Sequence, residues 1–290
     1  MDNGKQNYVN NLKIYHKKLE KGLLQNYKID TKYLEVLSWG YHTTAIYIKS
    51  SDNKEYLLKL AGQSEEKEQA IIKDINLSNQ LRIVVPTPVY IKTLSNNYTC
   101  RFEDKILRLS HYVSGLAPLA ITFDILEQMV DVLRKIHDYA WVPQQLEERA
   151  VKSGTRSENT AVPTRQVLLH GDLTPHNVLV SYGKLVVVMD FEMSFGGPRE
   201  WDLARTAFFS WNYMKNTSFE QIAHFVLKKY AHDAINPDLF YAYAVENAQK
   251  HLNSVEKYQI DYDRQEDWEK DRDFAKNQLA TLQGLVLFKA

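Results

Sequence analysis

The sequence predicts an α+β protein in which a sheet-rich first part precedes a mainly helical remainder. Between residues 33 and 61, three short apolar runs rich in β-forming residues are separated by turn residues, which is typical of an antiparallel meander. After Gly115, amphipathic helical patterns dominate instead. This change predicts two domains, residues 1–109 and 110–290, with a hinge between Leu109 and Gly115.

The first domain is expected to open on a helix over residues 8–26, where apolar residues recur at helical spacing. Three meander strands follow, and a helix of about 17 residues begins after Ser64, which is a suitable N-cap. Further strands are predicted at VVPTPVYI, NYTCRF and KILRLSHYV.

The second domain is expected to begin with the amphipathic helix FDILEQMVDVLRKIHDYA and a polar loop over residues 151–166. A hairpin, NVLVS–YGK–LVVVMD, comes next. Four helices complete the chain, the second with a Ser218–Gln221 capping box and the third with Asn236 as its cap. They are predicted at WDLARTAFFSWNYM, SFEQIAHFVLKKYAHD, NPDLFYAYAVENAQKHLN and from Asp263 onward.

The composition excludes several classes of protein. The formal net charge is zero, so no overall basic field attracts nucleic acid. Cys100 is the single cysteine, which permits no internal disulfide and is typical of a reducing compartment. No apolar run approaches the roughly 20 residues of a membrane span, and the N-terminus lacks an apolar signal core. We therefore expect a cytoplasmic protein with no membrane or nucleic-acid partner and no implied protein partner.

Polar residues cluster around the hairpin in the segment LLHGDLTPHNVLVSYGKLVVVMDFE. If Gly183 and Lys184 form a two-residue type II′ turn, Asn177 and Asp190 are directly opposite each other on one face. A carboxylate and an amide oxygen at that separation can share a hard cation such as Mg²⁺. Asp172, in the preceding loop, is then suited to accept a proton from an attacking hydroxyl group.

This order of residues matches a phosphoryl-transfer signature. Protein kinases carry H-R-D-L-x-x-x-N followed by D-F-G, and this chain carries H-G-D-L-T-P-H-N followed by D-F-E. A kinase also needs a lysine on the third strand, for which YLLKLA supplies Lys59. Asp74 and Glu68 both have the helical phase to pair with that lysine; counting back from VPTP favours Asp74, and the choice stays open.

The turn between the first two strands, WGYHTTA, is the expected phosphate-covering segment. It holds one glycine, Gly40, and Thr43 and Thr44 can contact phosphate through their hydroxyl or backbone N–H groups.

The chain resembles the aminoglycoside phosphotransferase superfamily and its choline-kinase-like relatives. The motifs LLHGDLTPHNVLV, VVVMDFE and GPREWDLA carry the resemblance, with weaker support from YLLKLA and VPTPV. It implies a bilobal protein-kinase-like fold with an antiparallel sheet in the first lobe and a mainly helical second lobe. It also implies ATP in the cleft and transfer of the γ-phosphoryl group to a hydroxyl of a small-molecule acceptor.

The resemblance implies a role for each matched residue. Asp172 is the base, Asn177 and Asp190 are the Mg²⁺ ligands, and Lys59 contacts the α- and β-phosphates of ATP. The backbone from Ser110 to Tyr112 contacts adenine. Asp202 in WDLA braces the catalytic loop.

Two features favour a small acceptor over a protein substrate. Only residues 191–201 separate Asp190 from Asp202, which leaves no room for a long activation segment, and no A-P-E follows. Gly171 also replaces the arginine of H-R-D. Aminoglycosides, amino alcohols, homoserine and sugars remain open as acceptors. The acidic stretch DYDRQEDWEKDRD suits a cationic acceptor or is a solvated helix face.

Two other functions remain as alternatives. A catalytically weak nucleotide-binding pseudokinase would share the fold, because fold alone never proves activity. A transition-metal hydrolase could use His170, Asp172, His176 and Asp190, although it leaves Asn177 and the hairpin unexplained.

Overall fold

The computed structural model describes residues 16–39, 43–139, 166–230, 235–259 and 265–287. The chain divides into two compact units. The first comprises Met1–Arg82 and Thr87–Ser114, and the second comprises Ile83–Pro86 and Gly115–Ala290. The predicted division between Leu109 and Ser110 falls inside a strand of the first unit.

The described residues of the first unit form a six-stranded antiparallel sheet and two helices. Helix α1 includes residues 16–27. The elements after it are β1 (Thr31–Trp39), β2 (Thr43–Ser50), β3 (Glu55–Gly62), α2 (Glu65–Leu81), β4 (Tyr90–Ile91), β5 (Thr99–Phe102) and β6 (Lys105–His111). The sheet order is β1-β2-β3-β6-β4, and β5 also pairs with β6. The predicted meander of β1, β2 and β3 is confirmed.

Side-chain alternation gives the two faces of this sheet different cores. One face carries Leu58 and Leu60 of β3, which are packed in a cluster with Leu19 and Leu23 of α1. The opposite face belongs to a second cluster, which joins Ala61 and Ile106 of the sheet to Ile71 and Ile75 of α2. Lys59 therefore lies on the α2 face, because it alternates with Leu58 and Leu60.

One predicted strand of this unit is much shorter than expected, and one predicted helix cap is confirmed. The run VVPTPVYI forms a strand only at Tyr90–Ile91, because Pro86 and Pro88 lack the N–H groups that a ladder requires. Ser64 caps α2 as predicted, accepting the N–H of Lys67 at 3.2 Å. Residues 8–15 of the predicted first helix lie outside the described residues.

The second unit is mainly helical and contains two small two-stranded sheets, β7 with β10 and β8 with β9. Its elements are α3 (Phe123–Asp138), β7 (Gln166–Leu169), β8 (Val178–Ser181), β9 (Lys184–Val188), β10 (Phe195–Pro198), α4 (Arg199–Trp211), α5 (Phe219–Tyr230), α6 (Pro237–Lys257) and α7 (Gln265–Leu287). The four predicted C-terminal helices are confirmed. Strands β7 and β10 were not predicted, and Gly196 and Gly197 give β10 an atypical strand composition.

Local capping defines the helices as the sequence indicates. Ser218 and Gln221 form the reciprocal capping box at 2.9 and 3.3 Å. Asn236 accepts the N–H groups of Asp238 and Leu239 at the start of α6.

Along the acidic stretch, the described part of α7 is largely exposed and Lys270 lies 3.7 Å from Asp267. None of the helices among the described residues combines the length and apolar character needed to cross a bilayer.

Candidate active site

The candidate active site of the second unit is centred on the loop that follows β7. The side-chain amide of Asn177 donates from Nδ2 to the carbonyl oxygen of Asp172 at 2.8 Å and to its carboxylate Oδ2 at 2.9 Å. The carbonyl of Thr174 accepts the backbone N–H of Asn177 at 2.9 Å, which closes the turn around Pro175. The structure thus brings Asp172 and Asn177, two of the predicted site residues, into direct contact.

Asp202 of α4 anchors the beginning of this loop. Its Oδ2 accepts the backbone N–H of His170 at 2.7 Å, and its Oδ1 accepts that of Gly171 at 2.9 Å. His137 of α3 also contacts Oδ2 through Nε2 at 3.1 Å. Asp202 is only 1% exposed, so these contacts supply the partners that a buried carboxylate requires. The predicted bracing role of Asp202 is confirmed.

Two further residues on the same face of α4 contact the loop. The Thr206 hydroxyl donates to the carbonyl oxygen of Leu173 at 2.7 Å. Arg205 donates to Asp172 Oδ1 from Nε at 2.9 Å and from Nη2 at 2.6 Å. Asp202, Arg205 and Thr206 follow the i, i+3, i+4 spacing of one helix face, so one face of α4 holds the whole loop.

The register of the β8–β9 hairpin differs from the prediction. Tyr182 and Gly183, both with positive φ, are the central turn residues, which is the type I′ arrangement. The ladder pairs Ser181 with Lys184, and a register shift follows between Leu179 and Val180. The prediction that Asn177 is directly opposite Asp190 is therefore wrong.

Met189 takes the place that the prediction gave to Asp190. Its N–H donates to the carbonyl oxygen of Asn177 at 3.0 Å, so Asp190 follows one residue beyond that contact. Asp190 has φ 69° and ψ 64° and begins the short 3₁₀ turn Phe191–Met193. Left-handed backbone is uncommon for residues other than glycine, and Asp is among those that tolerate it best.

Asn177 and Asp190 carry side-chain oxygen atoms of the kind that Mg²⁺ prefers. Because the Asn177 amide nitrogen is directed at Asp172, its Oδ1 is left for another partner, and Asp190 supplies a carboxylate. Mg²⁺ prefers such oxygen ligands and is usually held by one or two protein groups together with phosphates. In the described part of the chain, no three His, Cys, Asp or Glu side chains converge as a metal cage. The transition-metal hydrolase gains no support there.

Histidines around the loop have structural partners. His137 is buried between Asp202 and the Tyr230 hydroxyl, which lies 2.7 Å from its Nδ1. His170 accepts the Asp172 N–H at Nδ1 and packs on Phe191 at 4.5 Å. His176 is exposed and contacts the Tyr213 hydroxyl at 2.6 Å. Burial raises the pKa of Tyr213, so its hydroxyl keeps its proton at neutral pH.

Gly171 is required by a close approach of the backbone. It has φ +82°, and a Cβ there would lie 2.2 Å from the carbonyl oxygen of Met193. This contact explains why glycine replaces the arginine of the kinase signature: the position has no room for any side chain.

We expect Gly171→Ala to lower the unfolding free energy by at least about 2 kcal/mol, because left-handed strain adds to a clash with backbone. Gly183→Ala is the matched control: its φ is +74°, but nothing lies within 4 Å of the added Cβ. That variant should lose only about 1 kcal/mol. Urea unfolding measures both, and equal losses would contradict the close approach.

In the first unit, Lys59 is registered opposite Ala45 on β2 and opposite Arg108 on β6. Thr43 is registered opposite Ala61 and therefore shares the face of Lys59, whereas Thr44 is registered opposite Leu60 on the other face. Gly40 lies outside the described residues.

The two acids proposed to pair with Lys59 occupy different surroundings. Asp74 is 1% exposed, and its Oδ2 accepts from Arg108 at 3.0 Å and from the Tyr90 hydroxyl at 2.8 Å. Glu68 lies nearer the surface and is 3.5 Å from Arg101. Asp74 thus contacts the cross-strand neighbour of Lys59, whereas Glu68 pairs with an arginine at the sheet edge.

The predicted adenine-binding backbone runs along the end of β6. The N–H of His111 donates to the carbonyl oxygen of Val89, and that of Tyr112 donates to the carbonyl oxygen of Glu55, both at 3.0 Å. Ser110 is registered opposite Leu57 and is buried. These two N–H groups already bond to backbone carbonyl groups within the first unit.

Comparison with known proteins supports the predicted resemblance. Residues 156–233, which include the loop after β7 and helix α4, match the phosphotransferase enzyme family APH. An aminopropanol kinase associated with a microcompartment has TM-score 0.71 at 14% identity, covering 91% of this chain and 96% of that one. The chain has the fold of these phosphotransferases.

Two ligand-bound structures share this protein-kinase-like fold. Spectinomycin phosphotransferase APH(9)-Ia, in complex with ADP and spectinomycin, has TM-score 0.65 at 15% identity, covering 90% of this chain and 93% of that one. Amicoumacin kinase, in complex with AMP-PNP, Ca²⁺ and its ligand, has TM-score 0.66 at 11% identity, covering 91% and 93%. No curated protein sequence matches the chain.

Within this phosphotransferase fold, sequence reasoning missed the cations that hold the predicted acids. Arg205 donates to Asp172, and Arg108 donates to Asp74. In both pairs the two residues are more than 30 positions apart in the sequence. For Arg205 a signal existed, because it lies one helical turn after Asp202 on the same face of α4. For Arg108 the signal would have been an arginine inside the otherwise apolar β6.

Proposed function

We propose that the protein is an ATP-dependent small-molecule kinase, which transfers the γ-phosphoryl group to a hydroxyl of a small acceptor. The observation that carries this proposal is the braced loop in which Asp172 and Asn177 are in direct contact. A loop held at three points by α4 keeps a carboxylate at a fixed position, which a general base requires.

In this proposal Asp172 accepts the proton of the acceptor hydroxyl as that oxygen attacks the γ-phosphorus of ATP. Asn177 and Asp190 would hold Mg²⁺ through oxygen atoms. When bound, the ion neutralises charge on the phosphates. Lys59 would contact the α- and β-phosphates, with Thr43 on the same sheet face as a further phosphate contact. The backbone from Ser110 to Tyr112 would bind adenine.

The connection from Asp190 to α4 supports a small acceptor. After Asp190 the chain forms the 3₁₀ turn Phe191–Met193, then β10, and enters α4 at Arg199. Ser194 donates to the carbonyl oxygen of His170, so this connection is tied to the loop. It contains no extended segment of the kind on which protein kinases bind their substrates. Aminoglycosides, amino alcohols, homoserine and sugars are the acceptor classes that we propose to test.

Acceptor-dependent ADP release tests the proposed function. Purified protein would be supplied with Mg²⁺ and ATP together with spectinomycin, hygromycin B, aminopropanol, homoserine or ribose. We expect at least one of these acceptor classes to raise the rate of ADP release above the rate with water alone. ATP binding without any acceptor-dependent release across a broad panel would favour the pseudokinase.

Substitution separates the roles of Asp74 and Glu68. We expect Asp74→Asn to weaken ATP binding about tenfold or more, because Asp74 is the proposed partner of Lys59. It should also lower the unfolding free energy by about 3 kcal/mol, because the buried charge of Arg108 would lose its carboxylate partner. Glu68→Gln should change the unfolding free energy by less than about 1 kcal/mol, because its pair with Arg101 is largely exposed. Calorimetric ATP titration and urea unfolding measure both quantities. The opposite ranking would assign the pairing role to Glu68.

A further inference from the structure

Arg205 is held by two helices so that its guanidinium group faces the carboxylate of Asp172. Nε and Nη2 both donate to Oδ1, at 2.9 and 2.6 Å. Nη1 donates to Oδ1 of Asn247 on α6 at 2.9 Å, and Asn247 in turn donates from Nδ2 to the carbonyl oxygen of Tyr243 at 2.8 Å. The guanidinium also lies over the ring of Phe209, 4.7 Å from its centroid.

These contacts limit how the Asp172 carboxylate can accept a proton. An ionised carboxylate offers about four lone-pair positions, two on each oxygen. Arg205 occupies both positions of Oδ1, and Asn177 occupies one position of Oδ2. No other donor among the described residues reaches this carboxylate, so one lone pair of Oδ2 is left for an acceptor hydroxyl.

We propose that Arg205 is the positioning residue of the catalytic aspartate: it fixes the carboxylate of Asp172 so that Oδ2 alone accepts the proton of the acceptor hydroxyl. This inference rests on the proposed kinase function. Arg205 itself touches neither substrate nor the transferred phosphoryl group, and it acts by restricting rotation of the Asp172 side chain.

The support behind Arg205 is more elaborate than a surface ion pair requires. Asn247 is 1% exposed, and both ends of its side-chain amide are used, one on Arg205 and one on the α6 backbone. Exposed ion pairs contribute about 0–1 kcal/mol, so stability alone is a weak reason for a buried anchor. A base whose orientation must be kept within a fraction of an ångström is a stronger reason, since small displacements reduce rates by large factors.

The test compares Arg205→Met and Arg205→Lys with the wild type, using Mg·ATP and the acceptor with the highest rate in the five-member panel. We expect Arg205→Met to lower kcat about 10²-fold and to leave the KM values for ATP and acceptor nearly unchanged. Lysine offers a compact charge instead of a planar fork, so Arg205→Lys should restore kcat only in part. Arg134→Met is the matched control, because Arg134 pairs with Asp131 on the surface of α3 at 2.7 Å.

Each outcome bears on a different claim. Wild-type kcat in Arg205→Met, beside an inactive Asp172→Asn, would overturn the positioning role and leave the kinase function standing. A rise in KM with unchanged kcat would also overturn it, because it would make Arg205 a binding residue. If the methionine variant unfolds, the lysine variant decides, and full kcat there contradicts the inference. A wild-type chain that releases no ADP with any acceptor removes the function and this role together.

Discussion

Asp172→Asn is expected to lower kcat by about 10³-fold or more while ATP still binds. The substitution removes the group that accepts the hydroxyl proton, and general bases contribute roughly 10²–10⁴-fold to rate. Asparagine retains the size of the side chain, and the Arg205–Asp172 pair is partly exposed, with side chains 21% and 24% accessible. The unfolding free energy should therefore fall by only about 1 kcal/mol.

Asp131→Asn provides the control for this prediction. Asp131 also pairs with an arginine, Arg134, but on the surface of α3. Its substitution should leave kcat unchanged. ADP release with a saturating acceptor and calorimetric ATP titration separate catalysis from binding. If Asp172→Asn retained more than about a tenth of the wild-type kcat, Asp172 would not be the base.

Asp202→Ala is expected to have the largest effect on stability, lowering the unfolding free energy by about 3–5 kcal/mol. The change would leave the N–H groups of His170 and Gly171 and the ring of His137 buried without their acceptor. The catalytic loop would lose its anchor at the same time, so activity should fall in parallel. Urea unfolding followed by circular dichroism gives the free energy.

Asp124→Ala is the appropriate control for Asp202→Ala. Asp124 is also an acid in the first turn of a helix, α3, but its side chain is exposed. Asp124→Ala should lower the unfolding free energy by less than about 1 kcal/mol, because only the interaction of the carboxylate with the helix dipole is lost. Similar losses in the two variants would mean that Asp202 acts through its helix position and not through the loop.

The parts of the site that the sequence predicted are those close together in the chain. Asp172 and Asn177 are five residues apart in one loop, so the motif H-G-D-L-T-P-H-N was sufficient to name both as site residues, although their direct contact was not predicted. Asp202 was predicted because its motif resembles that of a known family. The three meander strands were predicted for a similar local reason, since short turns join neighbours in the sheet.

The sequence could not predict features that depend on one backbone angle or on tertiary contacts. The observed hairpin register differs from the predicted one because Tyr182, with φ 49°, and Gly183 are the two central residues of the turn. A one-residue shift then separates Asn177 from Asp190 in the ladder. Arg205 and Asn247 are 42 residues apart, and only the packing of α4 on α6 brings them together.

A ³¹P NMR spectrum of the complete reaction tests the central claim most directly. Protein, Mg²⁺, ATP and the best acceptor of the panel would be incubated, and the phosphorus resonances followed beside an Asp172→Asn sample. We predict that a phosphomonoester resonance on the acceptor grows in equal amount with ADP and is absent from the variant. ADP accompanied only by inorganic phosphate, or a phosphomonoester formed equally by Asp172→Asn, would contradict the assignment of this chain as a small-molecule kinase with Asp172 as its base.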